Sequence, residues 1–133
     1  MTTPPPMLQV SDIPMERYHA LSDATMDTLL ESLETVLDML GSSRYEVEYS
    51  SGVLTLNLAE HGTYVINKQP PNKQIWLSSP FSGPKRYDYI STADGWFYSR
   101  DGRSMGNLLE EELSKTLAKK VHLGVDQISK LIS

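Results

Sequence analysis

The chain has 133 residues, 39% of them hydrophobic and 22% charged, which predicts a single soluble globular domain with a sizeable core. No run approaches the ~20 apolar residues of a membrane-spanning helix, and the net charge of −5 argues against nucleic acid as the main partner. Because the chain has no cysteine, disulfides, thiolate metal sites and a thiol nucleophile are excluded.

Composition divides the chain into three parts. Residues 1–14 begin with MTTPPPM and lack the apolar core of a targeting signal, so we expect a flexible leader and no transit peptide. Residues 15–123 carry the periodic apolar pattern of a folded domain. Residues 124–133 are weakly apolar and form a C-terminal tail that either docks on the domain or frays.

The first predicted element is an acidic amphipathic helix from about Tyr18 to Leu40, which Gly41 ends. At ~100° per residue, five of its carboxylates share an arc of about 80°, and no Lys or Arg lies among them. These five are Asp23, Asp27, Glu31, Glu34 and Asp38. Residues 11–48 hold nine acids and two bases, a balance of −7, against eight acids and ten bases, +2, elsewhere. This pattern favours a surface for cations or a basic partner, and a merely solvated acidic face is the alternative.

Carboxylates are hard oxygen donors suited to Mg, Ca, Mn and iron. Single carboxylates on a convex helix do not form a cage, so we expect weak, multiple and poorly selective metal binding. His19 lies one turn before Asp23, where it either adds a nitrogen ligand or is an ordinary surface residue. The sequence lacks the spacing of a protected ferroxidase centre, in which bridging carboxylates and histidines converge.

Alternating apolar residues after Gly41 predict five or six antiparallel strands. A second helix is predicted to begin near Ser104 or Asn107 and to run to Val121, with Lys119 and Lys120 at its end, where they complement the helix dipole. The order helix, strands, helix predicts an α+β two-layer sandwich. Both helices would cover one face of an antiparallel sheet and leave the other face in solvent.

The open face is predicted to carry a tryptophan among polar side chains. Strand alternation places Trp76 beside the amides of Asn67, Gln69 and Gln74, with Arg86 on the next strand. Trp and Arg are the residues most enriched at binding hot spots, and none of these groups is a nucleophile or a general base near neutral pH. The face therefore favours binding over catalysis, although a single exposed aromatic residue without a function is the alternative.

Two long segments, GTYVINKQPPNKQIWLSSPFSGPKRYDY and GWFYSRDGRSMGNLLEEEL, closely resemble frataxin, the mitochondrial iron–sulfur cluster assembly family, and the likeness covers about residues 18–123. The resemblance implies the helix–sheet–helix sandwich, residence in the mitochondrial matrix, and a role as an iron-binding accessory factor. In that role it would bind the complex of cysteine desulfurase and scaffold protein and accelerate sulfur transfer.

The resemblance also assigns residues to two surfaces. It implies that Asn67, Gln69, Gln74, Trp76 and Arg86 contact the assembly complex. It implies weak iron binding by the five helix carboxylates and by Glu46 on the first strand. The chain departs from the family pattern at His19, Ala24 and Thr35, where acids are common in relatives, so its acidic surface is thinner.

Three functions are therefore considered. The preferred one is an activator of the desulfurase–scaffold complex, mainly non-catalytic, since a chain without cysteine cannot carry the sulfur itself. The second is an iron oxidase or iron-storing oligomer, which would make the protein either a monomer or an iron-dependent oligomer. The third is a general acidic binding module. In each case we expect no organic cofactor, no nucleic acid and no membrane partner.

Overall fold

The computed structural model describes residues 10–132. The strands and helices are α1 (Met15–Leu40), β1 (Glu46–Ser50), β2 (Val53–Asn57), β3 (Thr63–Gln69), β4 (Gln74–Ser79), β5 (Gly83–Ile90), β6 (Gly95–Tyr98) and α2 (Met105–Thr116). Short 3-10 turns occupy Ala59–His61, Pro70–Asn72 and Ile128–Leu131. Within this part of the chain no helix combines the length and the apolar character needed to cross a bilayer.

The six strands form one antiparallel meander in the order β1-β2-β3-β4-β5-β6, which confirms the predicted α+β sandwich. Strand alternation sends Tyr64 and Ile66 of β3, and Ile75 and Leu77 of β4, into the core beneath the helices. The opposite side chains of the same strands point away from α1 and α2. We call this second surface the open face.

Helix α1 packs a long apolar stripe against the sheet. Its buried side chains include Tyr18, Leu21 and Leu29, and its outer side is polar. The predicted stop at Gly41 is confirmed, since this residue adopts the left-handed conformation (φ 66°) and its N–H donates to the Leu37 carbonyl at 3.0 Å.

The predicted extent of the second helix is wrong at its C-terminal end. Helix α2 ends at Thr116, and the left-handed backbone of Ala118 (φ 53°) turns the chain away from the helix axis. The hydroxyl of Ser114 then accepts the N–H of Val121 at 2.9 Å. From Val121 every second residue is buried, which is the pattern of an extended segment, so the lysines at 119 and 120 follow the helix and do not belong to its last turn.

Both ends of the described chain contact the domain. The tail docks, because Ile128 is fully buried and the Asp94 carboxylate accepts the N–H and the hydroxyl of Ser129 at 2.9 and 2.6 Å. Of the predicted flexible leader, residues 1–9 lie outside the described residues. Further along that segment, the Ser11 N–H donates to the Tyr89 carbonyl at 3.1 Å, so contact with the domain begins before residue 15.

Candidate functional site

The open face brings together the five residues predicted to bind a partner. The strand register places Asn67 opposite Trp76 and Trp76 opposite Arg86, which forms one row across β3, β4 and β5. The adjacent row pairs Gln69 with Gln74. We call these five residues the sheet site.

The indole of Trp76 is held on both sides by its neighbours. Its Nε1–H donates to Gln74 Oε1 at 2.8 Å, and the Gln74 amide in turn donates to Asp88 Oδ1 at 3.0 Å. The guanidinium of Arg86 lies over the indole, with its Cζ 4.5 Å from the ring centre. An aromatic side chain that is already fixed loses little conformational entropy when a partner covers it, so the site is pre-organised for binding.

Asn67 presents an acceptor to solvent at the other end of the row. Its amide N–H group donates to the Lys68 carbonyl at 3.1 Å and reaches Gln69 Oε1 at 3.5 Å. Its Oδ1 receives no hydrogen bond from any residue in the range 10–132, so a partner N–H can use it. Asn67 therefore combines a fixed orientation with a free hydrogen-bonding atom.

The five carboxylates on α1 are all exposed, and we call them the acidic ridge. One of them has an internal counter-ion, since Lys68 Nζ lies 2.6 Å from Asp23 Oδ1. For the other four, no described residue supplies a hydrogen bond or an ion pair to the carboxylate. Their oxygens are thus available to cations or to a basic partner.

Lys68 also contacts His19, the residue predicted to supply a nitrogen ligand. Its Nζ is 2.9 Å from His19 Nδ1 and 5.7 Å from the centre of the Tyr18 ring, and only 11% of its side chain is exposed. A metal ion that uses His19 together with Asp23 must first displace this ammonium group. Sequence reasoning missed Lys68, although its position two residues after the inward-pointing Ile66 places it on the helix side of β3.

Glu46 is separated from the ridge. It pairs in register with Asn57 on the open face, on the side of the sheet away from α1. Among residues 10–132 no three His, Asp or Glu side chains converge to hold a metal ion. Any iron on the ridge would therefore keep most of its ligands as water, which corresponds to weak binding.

Tyr49 of β1 lies beneath the ridge and does not add a negative ligand. Burial raises the pKa of its hydroxyl, and the charges of Asp23 and Asp27 raise it further. The phenol therefore keeps its proton at neutral pH.

Comparison with known proteins identifies relatives of the chain. A family model for the frataxin-like domain matches residues 11–119. The mitochondrial frataxin homologue of Schizosaccharomyces pombe is 45% identical over 104 residues, which are 78% of this chain and 66% of that protein. The Saccharomyces cerevisiae homologue is 45% identical over 111 residues, which are 84% of this chain and 63% of that protein. Arabidopsis thaliana frataxin is 43% identical over 108 residues, which are 81% of this chain and 58% of that protein. The chain thus spans less than two thirds of the length of these relatives.

Solved structures share the fold. Trimeric yeast frataxin complexed with ferrous is 40% identical, with a TM-score of 0.66 over 86% of this chain and 93% of that one. Trimeric yeast frataxin with the full-length N-terminus is 44% identical, with a TM-score of 0.64 over 74% and 80%. Frataxin from Psychromonas ingrahamii, at 22% identity and a TM-score of 0.63 over 84% and 98%, supports the fold alone.

Proposed function

The chain belongs to the frataxin family, and from this membership we propose that it is a mitochondrial iron-binding accessory factor of iron–sulfur cluster biogenesis. It binds a cysteine desulfurase–scaffold complex and accelerates sulfur transfer. The single observation that carries this proposal is the sheet site, in which Trp76 is held between Gln74 and Arg86 on an open sheet face.

The chemistry of the sheet site supports binding to a protein. A fixed indole provides a large apolar contact, and the amides around it supply donors and acceptors for a partner backbone. No group of the site is a nucleophile or a general base at neutral pH. Because the chain lacks cysteine, the sulfur stays on the partner throughout.

The mechanism is then a shift in the partner's conformational equilibrium. The sheet site would bind more tightly to the state in which a sulfur-carrying loop is placed for transfer, and the population of that state rises by this difference in affinity. Each ~1.4 kcal/mol of difference raises the ratio of the two states tenfold.

The acidic ridge supplies the iron-binding part of the proposal. Its four unpaired carboxylates attract Fe²⁺, and water completes the coordination, so iron is a weakly held and exchangeable cargo. The structure of a yeast relative in complex with ferrous iron supports this assignment.

A sulfide-production assay with a reconstituted desulfurase–scaffold complex tests the proposal. We expect stimulation by the wild type and loss of stimulation by Trp76→Ala. Phe81→Ala is the matched control, because Phe81 is an exposed aromatic residue in the turn between β4 and β5, outside the sheet site. Absence of stimulation by the folded wild type, or an unaffected Trp76→Ala protein, would overturn the activator function.

The second candidate is an iron oxidase or iron-storing oligomer. The observation that favours it is the description of yeast relatives as trimeric, one of them complexed with ferrous. It predicts saturable, iron-dependent oxygen consumption together with assembly into larger particles. Both properties would be lost when Asp27, Glu31 and Glu34 are replaced by their amides, and oxygen consumption unchanged in that variant would eliminate this function for the ridge.

A further inference from the structure

A polar cleft of ≈ 520 Å³ adjoins the sheet site on the open face, between β5 and the loop that follows β6. Two arginines, Arg86 and Arg100, line it together with Gln74, Asp88 and Tyr98. The cleft thus extends the row of the sheet site beyond Arg86.

Neither guanidinium is neutralised by a residue that the structure describes. Arg86 stacks on Trp76, and no carboxylate within residues 10–132 forms an ion pair with Arg86 or Arg100. The Asp88 carboxylate instead accepts a hydrogen bond from the Gln74 side-chain amide. The cleft therefore holds two guanidinium groups with unused N–H donors beside a single carboxylate, that of Asp88, so positive charge exceeds negative charge among its lining residues.

The two neighbouring cations, Lys85 and Arg103, are held by other contacts. Lys85 is buried, with 8% of the residue exposed, and its ammonium group donates to the Ser82 carbonyl and hydroxyl at 2.9 and 2.6 Å. Arg103, the other arginine of the loop, pairs with Glu111 and donates to Asn107 Oδ1 at 2.6 Å.

The loop that carries Arg100 is closed by backbone hydrogen bonds. The Gly102 N–H donates to the Tyr98 carbonyl at 2.8 Å, and the Tyr98 N–H donates to the Arg103 carbonyl at 3.0 Å. The Asp101 carboxylate accepts the Arg103 N–H at 2.9 Å, within the same turn. The turn therefore fixes the backbone of Arg100, which lines the same cleft as Arg86.

We propose that Arg86 and Arg100 form a carboxylate-binding subsite, which takes an Asp or Glu side chain of the protein docked on the sheet site. This inference rests on the proposed function. The Arg86 guanidinium is planar by resonance, so its N–H groups lie in one plane and match the two oxygens of a carboxylate, and its contact with the indole restricts its position. Arg100 adds a second charge to the same anion, and it is a recognition residue that the sequence did not indicate.

The charge pattern of the open face supports an acidic contact at this end. Glu46 and Glu48 lie at the β1 edge, and the two free arginines lie at the opposite side, on β5 and on the loop after β6. A partner that is acidic above Arg86 and Arg100 and basic above the β1 edge fits in one orientation only. The subsite would thus fix the direction in which the partner docks.

Titrations of the desulfurase–scaffold complex with wild type, Arg100→Gln and Arg44→Gln test the proposal. Arg44 is the matched control, because it is exposed, lies away from the cleft and pairs with Glu60. We expect Arg100→Gln to bind about tenfold more weakly in low salt, the effect of a lost charge-assisted contact, and to lose less affinity than wild type when salt is raised from about 50 to about 200 mM. Arg44→Gln should bind as wild type does.

A second measurement uses the protein without the complex. Glutarate, a small dicarboxylate, is titrated while the side-chain N–H signals of arginine are followed by NMR, with inorganic phosphate as the comparison anion. We expect glutarate to shift the signals of Arg86 and Arg100 but not that of Arg44, and Arg100→Gln to abolish the response of Arg86.

The two measurements separate the proposals. If wild type does not bind the complex, the proposed function fails, and a selective glutarate response still supports a carboxylate site. No response of either arginine to glutarate would overturn the subsite. If phosphate acts as well as glutarate while Arg100→Gln binds the complex normally, the cleft takes free anions, and the partner contact is refuted.

Discussion

Replacing Lys68 with methionine tests whether its ammonium group blocks metal binding at the N-terminal end of the acidic ridge. The ammonium group contacts Asp23, His19 and the ring of Tyr18, and 11% of the lysine side chain is exposed. Methionine retains an unbranched apolar stem of similar length, so the substitution removes the charge and preserves most of the packing.

The expected loss of stability follows from these three contacts. Asp23 is 56% exposed, so solvent screening limits the ion pair to about 0.2–1 kcal/mol. The hydrogen bond to His19 contributes about 1 kcal/mol, and the cation–π contact with Tyr18 about 0.5 kcal/mol at this distance. The free energy of unfolding should fall by about 1.7–2.5 kcal/mol, which lowers the melting temperature by about 5–12 °C for a domain of this size.

The same substitution should extend metal binding toward the start of α1. Freed from Lys68, the Asp23 carboxylate and His19 Nδ1 lie one helical turn apart on the same side of the helix, so metal affinity there should rise up to about fivefold. Paramagnetic Mn²⁺ provides the assay, since it broadens amide NMR signals near the bound ion. In wild type the broadening should centre on Asp27 to Asp38, and in Lys68→Met it should reach His19.

Lys115→Met is the control for this experiment, because Lys115 is 76% exposed and pairs with Glu111, far along the chain from the ridge. It removes the same charge without touching the ridge and should change neither stability nor the broadening pattern appreciably. Wild-type stability together with wild-type broadening in Lys68→Met would refute the reasoning that Lys68 occupies the Asp23 and His19 ligand atoms.

Three further predictions concern the forces that hold the domain. Salt should raise the melting temperature by screening repulsion along the acidic ridge, and Glu34→Gln should reduce this rise; a midpoint that stays constant or falls with salt would contradict appreciable repulsion. Burial opposes ionisation of Asp94, but hydrogen bonds from Ser129 and Tyr89 outweigh burial and lower the pKa of Asp94 below its usual 3.8. The ionised carboxylate therefore contributes stability that is complete above pH 3.8 and is lost as the pH falls through the lower pKa of the folded state. Acid titration of unfolding should show a smaller loss below about pH 4 for Asp94→Asn than for wild type, and equal losses would refute this contribution. Trp96→Phe should lower the urea-unfolding free energy by about 2–3 kcal/mol, because the buried indole donates to Thr25 Oγ1 at 2.8 Å, and a loss below about 0.5 kcal/mol would contradict it.

The sheet site was predictable from the sequence because strand geometry is local and regular. Alternation assigns Trp76 and Asn67 to the same face, and the short turn after Gln69 sets the register that places them opposite each other. The left-handed Lys73 (φ 51°) completes that turn before β4 begins. Sequence reasoning could therefore name the five residues of the sheet site without knowing any side-chain contact.

Contacts between distant segments were not predictable in the same way. Lys68 reaches α1 across 45 residues of sequence, and no periodic pattern records which carboxylate a long side chain will meet. The end of α2 was missed because Lys119 and Lys120 suit a helix C-terminus equally well, while the competing signal, the alternation of Val121, Leu123 and Val125, is short. The pairing of Arg86 with Arg100 became visible only when the fold placed the loop after β6 beside β5.

The geometry of the two surfaces constrains the partner that the proposed function requires. The acidic ridge lies on the outer side of α1, and the sheet site lies on the sheet face that points away from α1, so the two surfaces face opposite directions. A single flat protein surface cannot cover both. The edge strand β1 lies between the two surfaces, and its residues Glu46 and Glu48 lie on the open face. A partner that uses both surfaces must therefore wrap around this edge or consist of more than one chain. A complex of a desulfurase with a scaffold protein meets that requirement, because one chain can take the basic role at the ridge while the other covers Trp76. It follows that ridge and sheet-site substitutions should weaken contacts with different chains, and that their effects on affinity should add when they are combined.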